Sequence, residues 1–129
     1  MASRKLEDLS TAFRGFAVDF LARSRDAGFD LLVVCTRRSY AEQIALWEIG
    51  RTVAGSILTY AKPGHSLHET GDAIDVVILV NGKPYWKTDK AGLILWNRLG
   101  AIGEQCGLDW SGRWPAKVRE YGHFQLRKK

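Results

Sequence analysis

Ala73-Ile74-Asp75-Val76-Val77-Ile78-Leu79-Val80-Asn81-Gly82-Lys83-Pro84-Tyr85-Trp86 is the stretch that decides the fold. Its first eight residues are a strongly β-forming run, rich in Val, Ile and Leu. Asn81-Gly82 then signals a hairpin, because both residues tolerate the positive φ that a tight turn requires. Lys83–Trp86 is therefore predicted as the returning strand. Asp75 does not belong in such a run: an ionised carboxylate among apolar neighbours costs several kcal/mol unless it is partnered.

Upstream, Leu6, Leu9, Phe13, Phe16 and Phe20 recur at spacings of three and four, one face of a long helix that Gly28 can end. Phe29–Thr36 reads as a buried strand. Ser39-Tyr40-Ala41-Glu42 has the form of a capping box, and Ile44 and Leu46-Trp47 carry that helix to Gly50. Arg51 to Gly71 reads as loop, with a short strand at Ile57–Tyr60. Downstream, Thr88 or Asp89 caps a third helix with Leu93, Trp96, Leu99 and Ile102 inward and Gly107 past its end. Leu108–Trp110 and Tyr121–Leu126 read as final short strands. Irregular alternation of helices and strands, with a hairpin and no GxGxxG or Walker pattern, predicts an α+β fold with a small, largely antiparallel sheet.

With 129 residues, 14.5 kDa and 46% hydrophobic content, the chain is expected to form one domain over residues 1–129. The longest aliphatic run, Val76–Val80, is far short of the ~18 residues of a membrane span. Two cysteines, Cys35 and Cys106, make no disulfide scaffold, and Cys35 reads as a small buried hydrophobe. No apolar segment follows the charged first residues, so a cytoplasmic origin without a secretory signal is expected. A net charge of +5 favours an anionic partner: nucleic acid, acidic lipid or an acidic wall polymer. Part of the excess crowds the C-terminus at Arg113, Lys117, Arg119 and Arg127-Lys128-Lys129. No RNP, zinc-knuckle or basic-heptad pattern accompanies it, so nucleic acid is not expected.

Only three histidines occur, and two lie in Gly64-His65-Ser66-Leu67-His68-Glu69-Thr70-Gly71-Asp72-Ala73-Ile74-Asp75. The third is in Glu120-Tyr121-Gly122-His123-Phe124-Gln125, where strand alternation puts Tyr121, His123 and Gln125 on one face. A divalent cation would remove the cost of burying Asp75, and zinc accepts His nitrogen and Asp oxygen. Neither HExxH nor paired CxxC is present, so spacing alone leaves structural histidines and a metal site both open.

Ser66-x-His68-x-x-Gly71-x-Ala73-x-Asp75, followed by Glu120-x-x-His123-Phe124, resembles the zinc D-Ala-D-Ala metallopeptidase family. That family's fold is shared by VanY and VanX carboxypeptidases and dipeptidases and by phage L-alanyl-D-glutamate endopeptidases. Thr36 to Thr52 is similar to its "GYRS…EQ…LY..GRT" segment. The resemblance implies one Zn2+ per chain held by His68, Asp75 and His123, with Glu120 as general base and the site at the sheet face. Arg38 matches the substrate-binding arginine, and Ser66 is expected to bind substrate or orient the loop. His65 has no counterpart. Arg37 and Tyr121-Gly122 depart from the family pattern. Trp86, Trp110 and Trp114 are candidates to line a groove facing glycan or peptide, although tryptophan more often packs in a core.

The resemblance implies a phage endolysin-type monomer, without a separate wall-binding module or stable membrane insertion. It would hydrolyse the L-Ala–D-Glu amide of peptidoglycan, reaching the wall after permeabilisation of the inner membrane. A D-alanyl-D-alanine carboxypeptidase or dipeptidase with the same metal site is the alternative, as is a non-catalytic wall-peptide binder. Glu120 argues against the last, because a binder needs no base.

Overall fold

The structure, a computed structural model, describes residues 2–127, so Lys128 and Lys129 of the basic C-terminus lie outside the described residues. The long strand β2 (Ala73–Val80) organises the sheet. Along one edge it pairs antiparallel with β1 (Asp30–Cys35). The opposite edge is shared: β5 (His123–Leu126) pairs with its start, Ala73 to Asp75, and β3 (Lys83–Tyr85) pairs with its end, Ile78 to Val80. β4 (Leu108–Trp110) completes the order β1-β2-β5-β4, and every ladder is antiparallel. The hairpin forms as predicted, with Asn81 at φ 54° and Gly82 at φ 76°.

The helices start where their caps stand. Ser10 accepts from Phe13 N (3.2 Å) and opens α1 (Thr11–Asp26), and Gly28 follows it at φ 94°. Ser39 and Glu42 form the complete capping box of α2 (Tyr40–Glu48). Asp89, not Thr88, caps α3 (Lys90–Gln105) through Gly92 N (2.8 Å). The core gathers Phe13, Ala17 and Phe20 of α1, Trp96 and Leu99 of α3, and Ile74, Val76 and Phe124 of the sheet.

Four expectations are corrected. Ile57–Tyr60 forms no strand, because the Arg51 guanidinium takes the Thr59 carbonyl (3.1 Å) while stacking 3.3 Å from the Trp47 ring centre. Phe16 is exposed, since the buried stripe of α1 runs Phe13-Ala17-Phe20-Ser24, and Leu6 belongs to a separate 3-10 turn. Trp110 is core rather than groove: it stacks on Phe124, and its indole N–H is held by the Tyr121 carbonyl (2.8 Å). The last strand begins at His123, not Tyr121.

Gly100 faces the Trp110 ring so closely that a methyl group would overlap it, whereas Gly15 on α1 has open space around its Cα. Gly15→Ala should therefore stabilise the fold by up to ~1 kcal/mol, the ordinary helix-propensity gain. Gly100→Ala should destabilise it by ~1–3 kcal/mol, the cost of overpacking. Urea unfolding of the two variants checks the contrast, and equal midpoints would contradict this packing of α3 on β4.

Candidate metal centre

Asp75 is the middle of a rank of side chains crossing three strands. Register sets Cys35 of β1 opposite it on one side and His123 of β5 on the other. The pleat turns Asp75 away from the core-facing Ile74 and Val76, and the irregularity between Val33 and Cys35 brings Cys35 into the rank.

His68 comes from the loop that precedes β2. The Glu69 carboxylate accepts from Gly64 N and Ser66 N (both 3.0 Å), and Ser66 Oγ accepts from His68 N (3.2 Å). Asp72 accepts the hydroxyls of Ser10 and Thr70. Gly71, at φ 77°, packs so tightly on Ser10 that a Cβ would come within 2.8 Å of its nitrogen. Glu69 and Asp72 thus hold the loop, and His68 is delivered buried, 3% exposed.

The nitrogen geometry is what a cation requires. His68 Nδ1 is 2.8 Å from the Thr36 carbonyl, which fixes a proton there and leaves Nε2 with its lone pair. That Nε2 is buried and has no hydrogen-bond partner, with Asp75 Oδ1 3.1 Å away but out of line for a hydrogen bond. His123 Nε2 faces Gln125 Oε1 at 2.9 Å, which leaves Nδ1 pointing at the same Asp75 Oδ1, also at 2.9 Å. Ligand atoms ~2.0–2.1 Å from a tetrahedral zinc lie roughly 3.3 Å apart, close to the two nitrogen–Asp75 separations. Imidazole nitrogen and carboxylate oxygen are both donors that zinc accepts.

The charges agree. Burial opposes a charged Asp75, yet the hydrogen bond from His123 and the nearby His68 ring hold its carboxyl well below the usual carboxylate range. Burial also opposes a charged His68, but Asp75, with help from Cys35, pushes it up to about 10. The site seeks positive charge, and a proton or a metal ion competes for the same nitrogen.

The ligand atoms of Cys35, His68 and Asp75 all lie within 4.8 Å of one another, so Cys35 is a further potential ligand beside Asp75. Cys35 Sγ lies by His68 Nδ1 (3.5 Å), the nitrogen that faces Thr36, and receives Arg38 Nη2 at 3.5 Å. Cys35 is buried as predicted, but against polar groups.

Glu120 lies before β5, with Oε2 3.8 Å from His123 Nδ1. Three residues apart on a regular strand, the two would face opposite ways. Here Gly122 gives its carbonyl to Val76 N (2.8 Å), at a contact with no room for a Cβ, and Ser111 Oγ donates to the Glu120 carbonyl. Burial raises the Glu120 carboxyl above its ordinary pKa; His123 offsets part of this and the Asp75 charge adds to it. Its side chain is still 52% exposed.

A cleft of about 490 Å³ opens beside these groups, with Arg38, His65, Ser66 and Trp114 on its walls. Arg38 is held in place: Nη1 donates to Gln43 Oε1 (2.7 Å), and the fully buried Gln43 bonds the Ala61 carbonyl (2.7 Å). The sequence reading passed over Gln43, whose signal was its place beside Glu42 in the similar segment. It also passed over Thr36 and Gln125, the partners of the histidines. Exposed His65 lines the cleft apart from the cluster.

Residues 59–126 match the family described as D-alanyl-D-alanine carboxypeptidase. The peptidoglycan L-alanyl-D-glutamate endopeptidase CwlK of Bacillus subtilis is 31% identical over 110 residues, covering 81% of this chain and 65% of that relative's length. The fold is that of the L-Ala D-Glu endopeptidase ChiX of Serratia marcescens, with TM-score 0.69, 20% identity and coverage of 98% of this chain and 89% of that one. The vancomycin-resistance D,D-pentapeptidase VanY, in complex with Zn(II), superposes with TM-score 0.65 at 16% identity, over 92% of this chain and 72% of that one. The chain belongs to the D-alanyl-D-alanine carboxypeptidase family of peptidases, the family its motifs resemble.

Proposed function

We propose that the chain is a zinc peptidase that hydrolyses the L-Ala–D-Glu amide of peptidoglycan stem peptides. The observation that carries this is that His68 Nε2 (3.1 Å) and His123 Nδ1 (2.9 Å) converge on one Asp75 oxygen, beside an acid and an arginine-lined cleft. His68, Asp75 and His123 hold one zinc ion. When bound, zinc supplies Lewis acidity, making water a competent nucleophile near neutral pH and polarising a carbonyl. Glu120 takes the proton of the attacking water and hands it to the leaving amine nitrogen. Arg38 grips a substrate carboxylate from its fixed position on Gln43. Ser66 orients the loop and lines the same cleft.

The likeness to CwlK, a relative named for L-Ala–D-Glu cleavage, supports this choice of bond. A single-domain monomer acting as a phage-type endolysin is the role we assign. Its net charge of +5 suits an anionic wall, and no helix among the described residues is long and apolar enough to cross a membrane.

Removal of metal by a chelator should abolish wall lysis, and added zinc should restore it at one ion per chain, counted by atomic emission. Full activity in a metal-free preparation would refute the metal role. His68→Ala should also lose the rise in Tm that zinc gives the native chain, since binding favours the folded state.

Glu120→Gln should keep stoichiometric zinc yet turn over at least about a hundredfold more slowly. Loss of zinc instead would make Glu120 a ligand, and normal turnover would remove it from catalysis.

End-group analysis of digested wall should show new N-terminal glutamate; released free D-alanine would move the chain to the carboxypeptidase reading. Arg38→Ala should lower kcat/KM with zinc retained, and Arg38→Lys should recover little, because an ammonium cannot make the two-pronged contact. Gln43→Ala should lower kcat/KM in the same direction by freeing Arg38.

A further inference from the structure

Asp75, Glu120 and His123 also form one wall of a second cleft of about 260 Å³, on the far side of the candidate metal centre from Arg38. It lies where the edge of β2 passes from β5 to β3, a gap in the ladders bridged only by Val76 N on the Gly122 carbonyl. Beyond the shared wall its lining is uncharged and mostly apolar, with Val34, Trp86 and Trp96 prominent. Two features there are left over from the packing of the core. Trp86 is 58% exposed at the rim, and Trp96 Nε1, in a residue only 1% exposed, has no hydrogen-bond partner among the described residues. A buried indole N–H left unpaired costs free energy in the resting fold, which a ligand oxygen would recover.

The two clefts differ in the way the two halves of the proposed substrate differ. On the D-Glu side of the scissile amide the stem peptide carries carboxylates, which suit Arg38. On the other side it carries the L-Ala methyl, a lactyl carbonyl and an N-acylated amino sugar, none of them charged. We propose that the second cleft is the subsite for this sugar-proximal half. Trp96 Nε1–H donates to a carbonyl oxygen of the lactyl-alanyl segment, and the Trp86 face packs against the sugar ring. The assignment rests on the endopeptidase reading above, and it makes the muramyl unit a determinant of specificity rather than a passive attachment.

The test titrates the zinc-loaded, 15N-labelled full chain with N-acetylmuramyl-L-alanine, and separately with N-acetyl-L-alanine as the sugar-free probe. The muramyl compound should move the indole N–H signals of both Trp86 and Trp96, with the Trp96 proton shifting downfield as it gains an acceptor. It should bind roughly tenfold more tightly than the sugar-free probe, the scale of one good aromatic contact. Trp86→Ala should shrink that ratio toward one, and Trp96→Phe should weaken both probes. Should Trp96→Phe fail to fold, the native indole shift alone decides. Equal affinity for the two probes, or shifts confined to Trp114 in the Arg38 cleft, would overturn the proposal. Indole shifts without new N-terminal glutamate in digested wall would uphold the subsite while removing the bond assignment.

Discussion

Asp75 sets the terms for the rest of the molecule. A carboxylate at the centre of a sheet must be partnered or it destabilises the fold, and its cross-strand neighbours on both sides, Cys35 and His123, are groups that can serve it. His68 is brought in by a loop whose own carboxylates, Glu69 and Asp72, are spent on backbone and hydroxyl partners. Nitrogens of both histidines then stand within 3.1 Å of one anionic oxygen. A positive charge among them, a proton or a metal ion, meets the need of that carboxylate. The irregular β1, the tight Gly71 turn and the bent approach to β5 are the backbone's adjustments to it.

The Asp75 cluster on the sheet borders two unlike clefts. The first is polar and carries a guanidinium fixed by a buried glutamine; the second is mostly apolar beyond the shared residues and carries an indole N–H with no partner among the described residues. An amide lying across the cluster would have its two halves sorted by charge before any bond is broken. Preorganisation of this kind lowers the ordering cost of binding, because Arg38 and Trp96 are already held by packing.

What could be read from the sequence was local. The Val/Ile/Leu run with Asn81-Gly82, the Ser39–Glu42 box and the glycines that end helices each state their structure within a few residues. Asp75 was legible as an anomaly for the same reason, since its neighbours alone make it costly. Gln43 and Thr36 were not, because their roles come from partners distant in sequence: a glutamine on a helix gives no sign that it will meet Arg38 and Ala61. Ile57–Tyr60 misled because β propensity says nothing of a guanidinium waiting at Arg51 to take the Thr59 carbonyl. Trp110 misled because tryptophan suits grooves and cores alike, and only Gly100 and Gly112, which leave room for its ring, decide between them.

The approach to β5 shows how a rigid site keeps one movable part. His123 must be fixed, and it is: its backbone is in the ladder, and its carbonyl accepts from Ser111 Oγ at 3.0 Å. In the role we propose, Glu120 has the opposite need, since a base that collects a proton at water and delivers it to a departing amine must reach two positions. Its backbone is anchored through the same Ser111 hydroxyl, while Gly122 allows the chain to bend before the strand begins. The side chain stands half exposed and lines both clefts. Glycine at 122 thus lets Glu120 and His123, three residues apart, share one site, where a regular strand would have pointed them in opposite directions.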